Sequence, residues 1–100
     1  MTKLEQLITA VKEENLTKTQ LEDYFKEVTE LRVDIKMQRA VVKKEKALFM
    51  VKRDAGESIS SRKEVWDASG TGQRLIDLDT YVTVTRDLLD SIRTRTYTLL

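Results

Sequence analysis

The chain has 100 residues, of which 35% are charged, and its formal net charge is +1. This length provides one domain at most, and the absence of Cys excludes disulfides and favours an intracellular, cytoplasmic protein. The absence of His removes the commonest general base and metal ligand, so we expect no metal and no cofactor. No apolar run reaches the ~20 residues that span a bilayer, and no membrane association is expected.

The first predicted element is a short helix over residues 1–15. Thr2 and Glu5 have the spacing of a capping box, in which a hydroxyl and a carboxylate satisfy free amide groups at a helix start. One apolar helical face follows, formed by Leu4, Leu7, Ile8 and Val11. Asn15 is predicted to end this helix, because Asn tolerates the left-handed conformation found just beyond helix ends.

The second predicted element is a long helix over residues 17–55. Thr17 and Gln20 form another potential capping box, and no helix breaker occurs before Gly56. At ~1.5 Å per residue this helix would be nearly 60 Å long. Its apolar stripe is predicted to change phase halfway, running first through Leu21, Tyr24, Val28, Leu31 and Ile35 and then through Met37, Val41, Leu48, Val51 and Ala55.

The third predicted element is a return helix over residues 61–99. Ser61 and Glu64 suggest its capping box, and the two glycines in SGTG predict a kink or short loop at 69–72. β-Branched and aromatic residues in 80–85 and 94–100 favour strand locally. Steps of three and four nevertheless predict helix through Leu75, Leu78, Val82, Thr85, Leu89, Ile92, Thr96 and Leu99.

The predicted fold class is therefore all-α, with a short N-terminal helix followed by a long antiparallel helical hairpin. Two helices bury only one stripe each, which is weak support for a hairpin of this length. We therefore expect homo-oligomerisation through coiled-coil-like apolar stripes. Trp66 is predicted to anchor this interface.

The charge is distributed unevenly along the chain. Residues 36–63 hold nine basic and three acidic groups, a net +6, whereas residues 1–35 have a net −3 and residues 64–100 a net −2. A positive cluster at the hairpin turn suits a polyanion, and phosphate backbones are the commonest such partner. The alternatives are a solvated lysine-rich face, complementation of the helix dipole, or contact with the acidic third of a neighbouring subunit.

Two further features have competing interpretations. The run ALFMV (47–51) is assigned to a core or subunit interface rather than to a platform on which bases stack. Asp77 and Asp79 point in different directions on a helix, and Asp87 and Asp90 share a face but lack a His or third ligand. SGTG lacks the GK[ST] continuation of a phosphate-binding loop, so a non-enzyme is predicted.

The segment LLDSIRTRTYTLL (88–100) carries a resemblance to a known family. Its pattern L-D-x-I-[KR]-x-R, followed by an aromatic residue, resembles the C-terminal helix of phage UvsY-type recombination mediators. The upstream order of a long basic helix, a turn and a second helix is also similar, and the resemblance covers residues 30–100. It implies a small oligomer, in the host cell cytoplasm, that binds single-stranded DNA and helps load a recombinase onto strands covered by single-strand-binding protein.

The resemblance also implies site residues. Its DNA-contacting stretch falls on Lys52 and Arg53, and the basic residues one to two turns upstream are Lys43, Lys44 and Lys46. The C-terminal helix takes the assembly role through Leu89, Ile92 and Leu99. The alternative function is a helical protein–protein interaction module, such as a phage-encoded inhibitor, an adaptor or a virion component.

Overall fold

The computed structural model describes residues 2–52 and 56–99, except for the side chain of Thr2. Four helices make up this part of the chain: α1 (Thr2–Val11), α2 (Lys18–Val51), α3 (Ile59–Ala68) and α4 (Gly70–Leu99). The described residues contain no strand, which confirms the all-α fold and the helical assignment of the β-branched segments. α2 and α4 pack antiparallel to form a rod of 62 × 19 × 17 Å. α1 folds onto the open end of this hairpin and contacts both long helices.

The start of α2 follows the predicted capping chemistry. Thr17 is the N-cap, its hydroxyl accepts a hydrogen bond from the Gln20 amide at 3.2 Å, and the Gln20 side chain accepts one from the Thr17 amide at 2.9 Å. α1 is shorter than predicted, since it ends at Val11 rather than at Asn15. The capping box expected at Thr2 depends on a side chain outside the described part.

On both sides of the hairpin turn, the helices end and begin at other residues than predicted. α2 ends at Val51, and Gly56 adopts a φ of +85° that glycine tolerates without strain. The prediction that Ser61 caps the return helix is wrong. Ser58 is the N-cap, because its hydroxyl accepts the amide of Ser61 at 3.0 Å, so α3 begins one turn earlier.

The return helix breaks at Ser69, inside the predicted kink. The Ser69 amide and hydroxyl both donate to the carbonyl of Trp66, at 3.0 and 2.6 Å. The same hydroxyl accepts the amide of Gly72 at 3.0 Å, so one serine closes α3 and caps α4. A Cβ atom on Gly72 would lie 1.8 Å from the Trp66 carbonyl oxygen, and the joint therefore requires a glycine at this position.

The hairpin seam on α2 follows a seven-residue repeat. Its buried members are Leu21, Val28, Ile35 and Val42, and the half-buried Phe49 continues the series. The predicted change of phase to Met37, Val41, Leu48 and Val51 is wrong, because these side chains are exposed and lie outside the seam. Ala55 lies outside the described residues. A seven-residue period keeps one seam facing α4 along the whole helix, so no phase change is needed.

A polar layer divides the core into two apolar clusters. Thr85 is fully buried, and its hydroxyl donates to the Tyr81 carbonyl at 2.8 Å. Arg32 reaches across from α2 and donates to the Val82 carbonyl at 2.8 Å. The cluster on the α1 side contains Ile92, and the cluster toward the turn contains Trp66.

This core changes the predicted subunit interface. Trp66 is 4% exposed and Ile92 is 0% exposed, so each packs inside its own chain. Neither offers surface to a second copy in this fold, and both assignments are corrected. Leu89 is half-buried against the α1-side cluster, whereas Leu99 is exposed.

Candidate nucleic-acid interface

Four basic residues line one flank of α2 toward the hairpin turn. Successive members are three, four and three residues apart, a spacing that places them on one side of a helix. We call this set the basic ladder; it consists of Lys36, Arg39, Lys43 and Lys46. Ten helical steps separate its ends, a distance of about 15 Å. Lys36 and Lys43 are exposed, and Arg39 and Lys46 are half-buried.

Only the arginine of the basic ladder is neutralised within the described part of the chain. Arg39 forms a close ion pair with Asp79 on α4, which ties the ladder to the hairpin partner. The other ion pairs among residues 2–52 and 56–99 do not involve the ladder. One joins Arg62 to Glu57, and another joins Arg86 to its neighbour Asp87 on α4. None of these pairs involves the three ladder lysines, so their charge is available to an external anion.

The sequence-predicted DNA-binding residues do not share one face. Lys43 and Lys46 belong to the basic ladder, but Lys44 is turned about 100° from Lys43 and lies among exposed apolar residues. Lys52 is exposed at the C-cap of α2, and Arg53 lies outside the described residues. Lys36 and Arg39 were not among the predicted site residues, although their spacing to Lys43 is visible in the sequence.

Phe49 and Arg62 form a structural cluster near the turn rather than a base platform. The Arg62 guanidinium carbon lies 3.6 Å from the centre of the Phe49 ring, and its Nε donates to the Phe49 carbonyl at 2.8 Å. The centre of the Trp66 ring lies 5.4 Å from that of Phe49. Since two neighbours already cover the Phe49 ring, the assignment of ALFMV to the core is confirmed for this residue.

The arginines of the C-terminal motif make contacts within the chain. Arg95 donates to the carbonyls of Val11 and Glu13, at the end of α1. A cation at this position satisfies free carbonyl groups and complements the negative end of the helix dipole. The guanidinium of Arg93 lies 5.5 Å from the centre of the Phe25 ring. These two arginines therefore join α4 to α1 and α2.

Two of the apolar surfaces outside the core are extended. The first, which we call the outer stripe, lies on the side of α2 away from the seam and consists of Val33, Met37, Val41, Leu48 and Val51. The second is an open groove of about 650 Å³ between α1 and α4, which we call the α1–α4 groove. Its lining residues are Ile8, Val11, Lys12, Glu13, Glu14, Val84, Asp87, Leu88, Ser91 and Arg95.

Residues 2–52 and 56–99 contain neither a metal-binding cluster nor a membrane-spanning helix. No group of three His, Cys, Asp or Glu side chains there is placed to hold a metal ion. None of the helices described is both long and apolar enough to cross a bilayer. No protein-family model, curated protein or solved structure matches the chain.

Proposed function

We propose that this chain is a non-enzymatic protein that binds single-stranded DNA and helps load a recombinase onto it. The observation that carries DNA binding is the basic ladder, in which three lysines with no carboxylate partner among the described residues follow one another along a rigid helix. Phosphates bound there would displace counterions from the strand. Loading of a recombinase is supported by the resemblance of residues 88–100 alone.

The shape of the rod favours a single strand over a duplex read through its major groove. The ladder lies on a flank of α2 beside α4, as the contact between Arg39 and Asp79 shows. The two-helix rod is 17–19 Å across, whereas the major groove is only about 12 Å wide. A flexible strand can follow the lysines from outside, and contacts to phosphates carry no sequence preference.

The binding site is tested by removing the three ladder lysines together. Each phosphate contact on a single strand contributes a slope of about −0.7 to the dependence of log affinity on log salt. At ~0.1 M salt, the combined variant Lys36→Ala, Lys43→Ala, Lys46→Ala should therefore bind about 100-fold more weakly. Fluorescence anisotropy with a labelled oligothymidylate measures this change.

A matched control comes from the acidic end of the rod. Lys3, Lys18 and Lys26 are also exposed helical lysines, and their combined replacement by Ala removes the same charge. This control should bind the oligonucleotide within about twofold of the wild type, as expected for lysines remote from the strand. Equal affinities for the ladder variant and the control would refute the assigned site.

A second candidate function is favoured by the outer stripe. Its apolar side chains lie exposed on a helix whose opposite side is already packed. Exposed apolar patches of this kind mark protein–protein contacts. A protein–protein module, such as an inhibitor, an adaptor or a virion component, would use this stripe and would not bind the oligonucleotide at moderate salt.

A further inference from the structure

Asp79 places a carboxylate in the middle of the basic ladder. It projects from α4 and pairs with Arg39, which lies three residues after Lys36 and four residues before Lys43 on the same flank of α2. The two lysines are about 10 Å apart along the helix, and the ion pair lies between them. A strand that follows the ladder must therefore pass this carboxylate.

The ion pair of Arg39 and Asp79 lies at the surface of the rod. The side chain of Arg39 is 34% exposed and that of Asp79 is 50% exposed. An ion pair in contact with water contributes little to stability, because solvent screens it and two flexible side chains must be held in one geometry. A phosphate that approaches the ladder can therefore reach Arg39 and compete with the carboxylate.

A carboxylate and a phosphate make the same kind of contact with a guanidinium group. Both present anionic oxygens that accept charge-assisted hydrogen bonds from its N–H groups. The Nε of Arg39 already donates to Asp79, so a phosphate can gain this donor only by displacing the carboxylate. The exchange gains little free energy, because one anion replaces another and the freed carboxylate would repel the strand beside it.

We propose that Asp79 is an internal competitor of the DNA strand for Arg39. This inference rests on the proposed function of the basic ladder. In the wild type the strand contacts the three ladder lysines, and Arg39 is held by Asp79. Without the carboxylate, Arg39 would become a fourth phosphate contact. Asp79 thus limits the affinity at the centre of the ladder, which suits a protein that must release the strand to a recombinase.

The first test is the variant Asp79→Asn, which removes the charge and keeps the shape of the side chain. One additional phosphate contact adds about −0.7 to the slope of log affinity against log salt, so the slope should become steeper, from about −2 to about −3. At ~0.1 M salt the variant should bind a labelled oligothymidylate about fivefold more tightly than the wild type. Fluorescence anisotropy measures both quantities, and circular dichroism checks the helix content.

Asp77→Asn is the matched control. Asp77 is also exposed on α4, but two helical steps turn it about 200° away from Asp79. It lines a cleft with Gln38 and Arg74, which are joined by a hydrogen bond of 2.7 Å. The two replacements change the net charge of the chain equally. The Asp77 variant should keep the slope of the wild type and bind within about twofold of it, as expected for an exposed charge away from the strand.

A second substitution tests whether the gain acts through Arg39. Adding Arg39→Gln to Asp79→Asn removes the fourth contact, so the doubly substituted chain should return to the affinity and the slope of the wild type. A gain that persists in this chain would refute the competition, because Asp79 would then act by general repulsion of the strand and not by occupying Arg39.

Two further results would overturn the proposal. One is an Asp79→Asn variant that binds no more tightly than the wild type, and the other is an equal gain from Asp77→Asn. Failure of the proposed function gives a different result, in which the variant without the three ladder lysines binds as well as its lysine control. If the ladder variant loses binding and Asp79→Asn gains none, only the competition is refuted.

Discussion

At the scale of single residues, the joint between α3 and α4 depends on a glycine, because there is no room for a side chain at that position. Gly72 is buried, and an added Cβ would meet the carbonyl oxygen of Trp66 at 1.8 Å. That atom belongs to backbone held by Ser69, so it has no flexible end that could move aside. We predict that Gly72→Ala lowers the free energy of unfolding by about 3 kcal/mol.

Gly70, two residues away, is the matched control for this prediction. A Cβ there would meet no atom within 4 Å, so Gly70→Ala should leave stability unchanged or raise it by up to about 0.5–1 kcal/mol. Urea unfolding at one protein concentration measures both variants, and the fluorescence of Trp66, the single tryptophan, reports on the joint. Equal stability of the two variants would contradict the close approach of Gly72 to Trp66.

Single residues also show why some tertiary contacts could not be predicted from the sequence. The spacing of the C-terminal motif placed Arg95 on a helix, but its partners are carbonyls more than eighty residues earlier in the chain. Long-range contacts of this kind leave no local pattern. In contrast, the capping box of Thr17 and Gln20 is local, and the sequence predicted it correctly.

At the scale of the elements, two neighbouring valines distinguish the seam from the outer stripe. Val42 is 5% exposed and belongs to the seven-residue repeat, whereas Val41 is 58% exposed. Val42→Ala should lower the free energy of unfolding by about 2 kcal/mol, through lost apolar burial and the cavity that remains. Val41→Ala should change it by less than about 0.5 kcal/mol.

Denaturant unfolding of the two valine variants at low protein concentration, where chains are dissociated, isolates the seam from any subunit contact. The two replacements remove identical atoms from the same helix, so differences in helix propensity cancel. A larger effect at Val41 than at Val42 would mean that the stripe, and not the repeat through Ile35 and Val42, packs against α4.

The α2 helix shows how far periodicity can predict a fold. The sequence predicted the helix and the first half of the seam, from Leu21 to Ile35, because nearly all apolar residues there, with the exception of Val33, lie on the packed side. In the second half both sides carry apolar residues, Val42 and Phe49 on one and Val41 and Leu48 on the other. Spacing alone could not choose between them, and the identity of the side that meets α4 is decided by tertiary packing.

At the scale of the whole molecule, the rod has a charge polarity along its length. Residues 1–35, with a net −3, form α1 and the first half of α2 at the open end. Residues 36–63, with a net +6, extend to the hairpin turn. Antiparallel packing of α2 on α4 preserves this separation, because the return helix adds a net charge of only −2 over residues 64–100. The segmental charge was visible in the sequence, but its concentration at one end requires the hairpin.

This polarity leads to a prediction about salt. If a single strand contacts the three ladder lysines of one copy, log affinity should fall with log salt with a slope of about −2, from about −0.7 per contact. Lysines at the opposite end of the rod should contribute little to this slope, because exposed charges separated by more than about 10 Å are largely screened from each other at ~0.1 M salt.

Titration of salt against a labelled oligothymidylate, monitored by anisotropy, measures this slope. The ladder variant should lose most of the slope, because the phosphate contacts that release counterions are gone, whereas the control variant at Lys3, Lys18 and Lys26 should keep it. A slope that is as steep in the ladder variant as in the wild type would show that the strand contacts other cations of the chain.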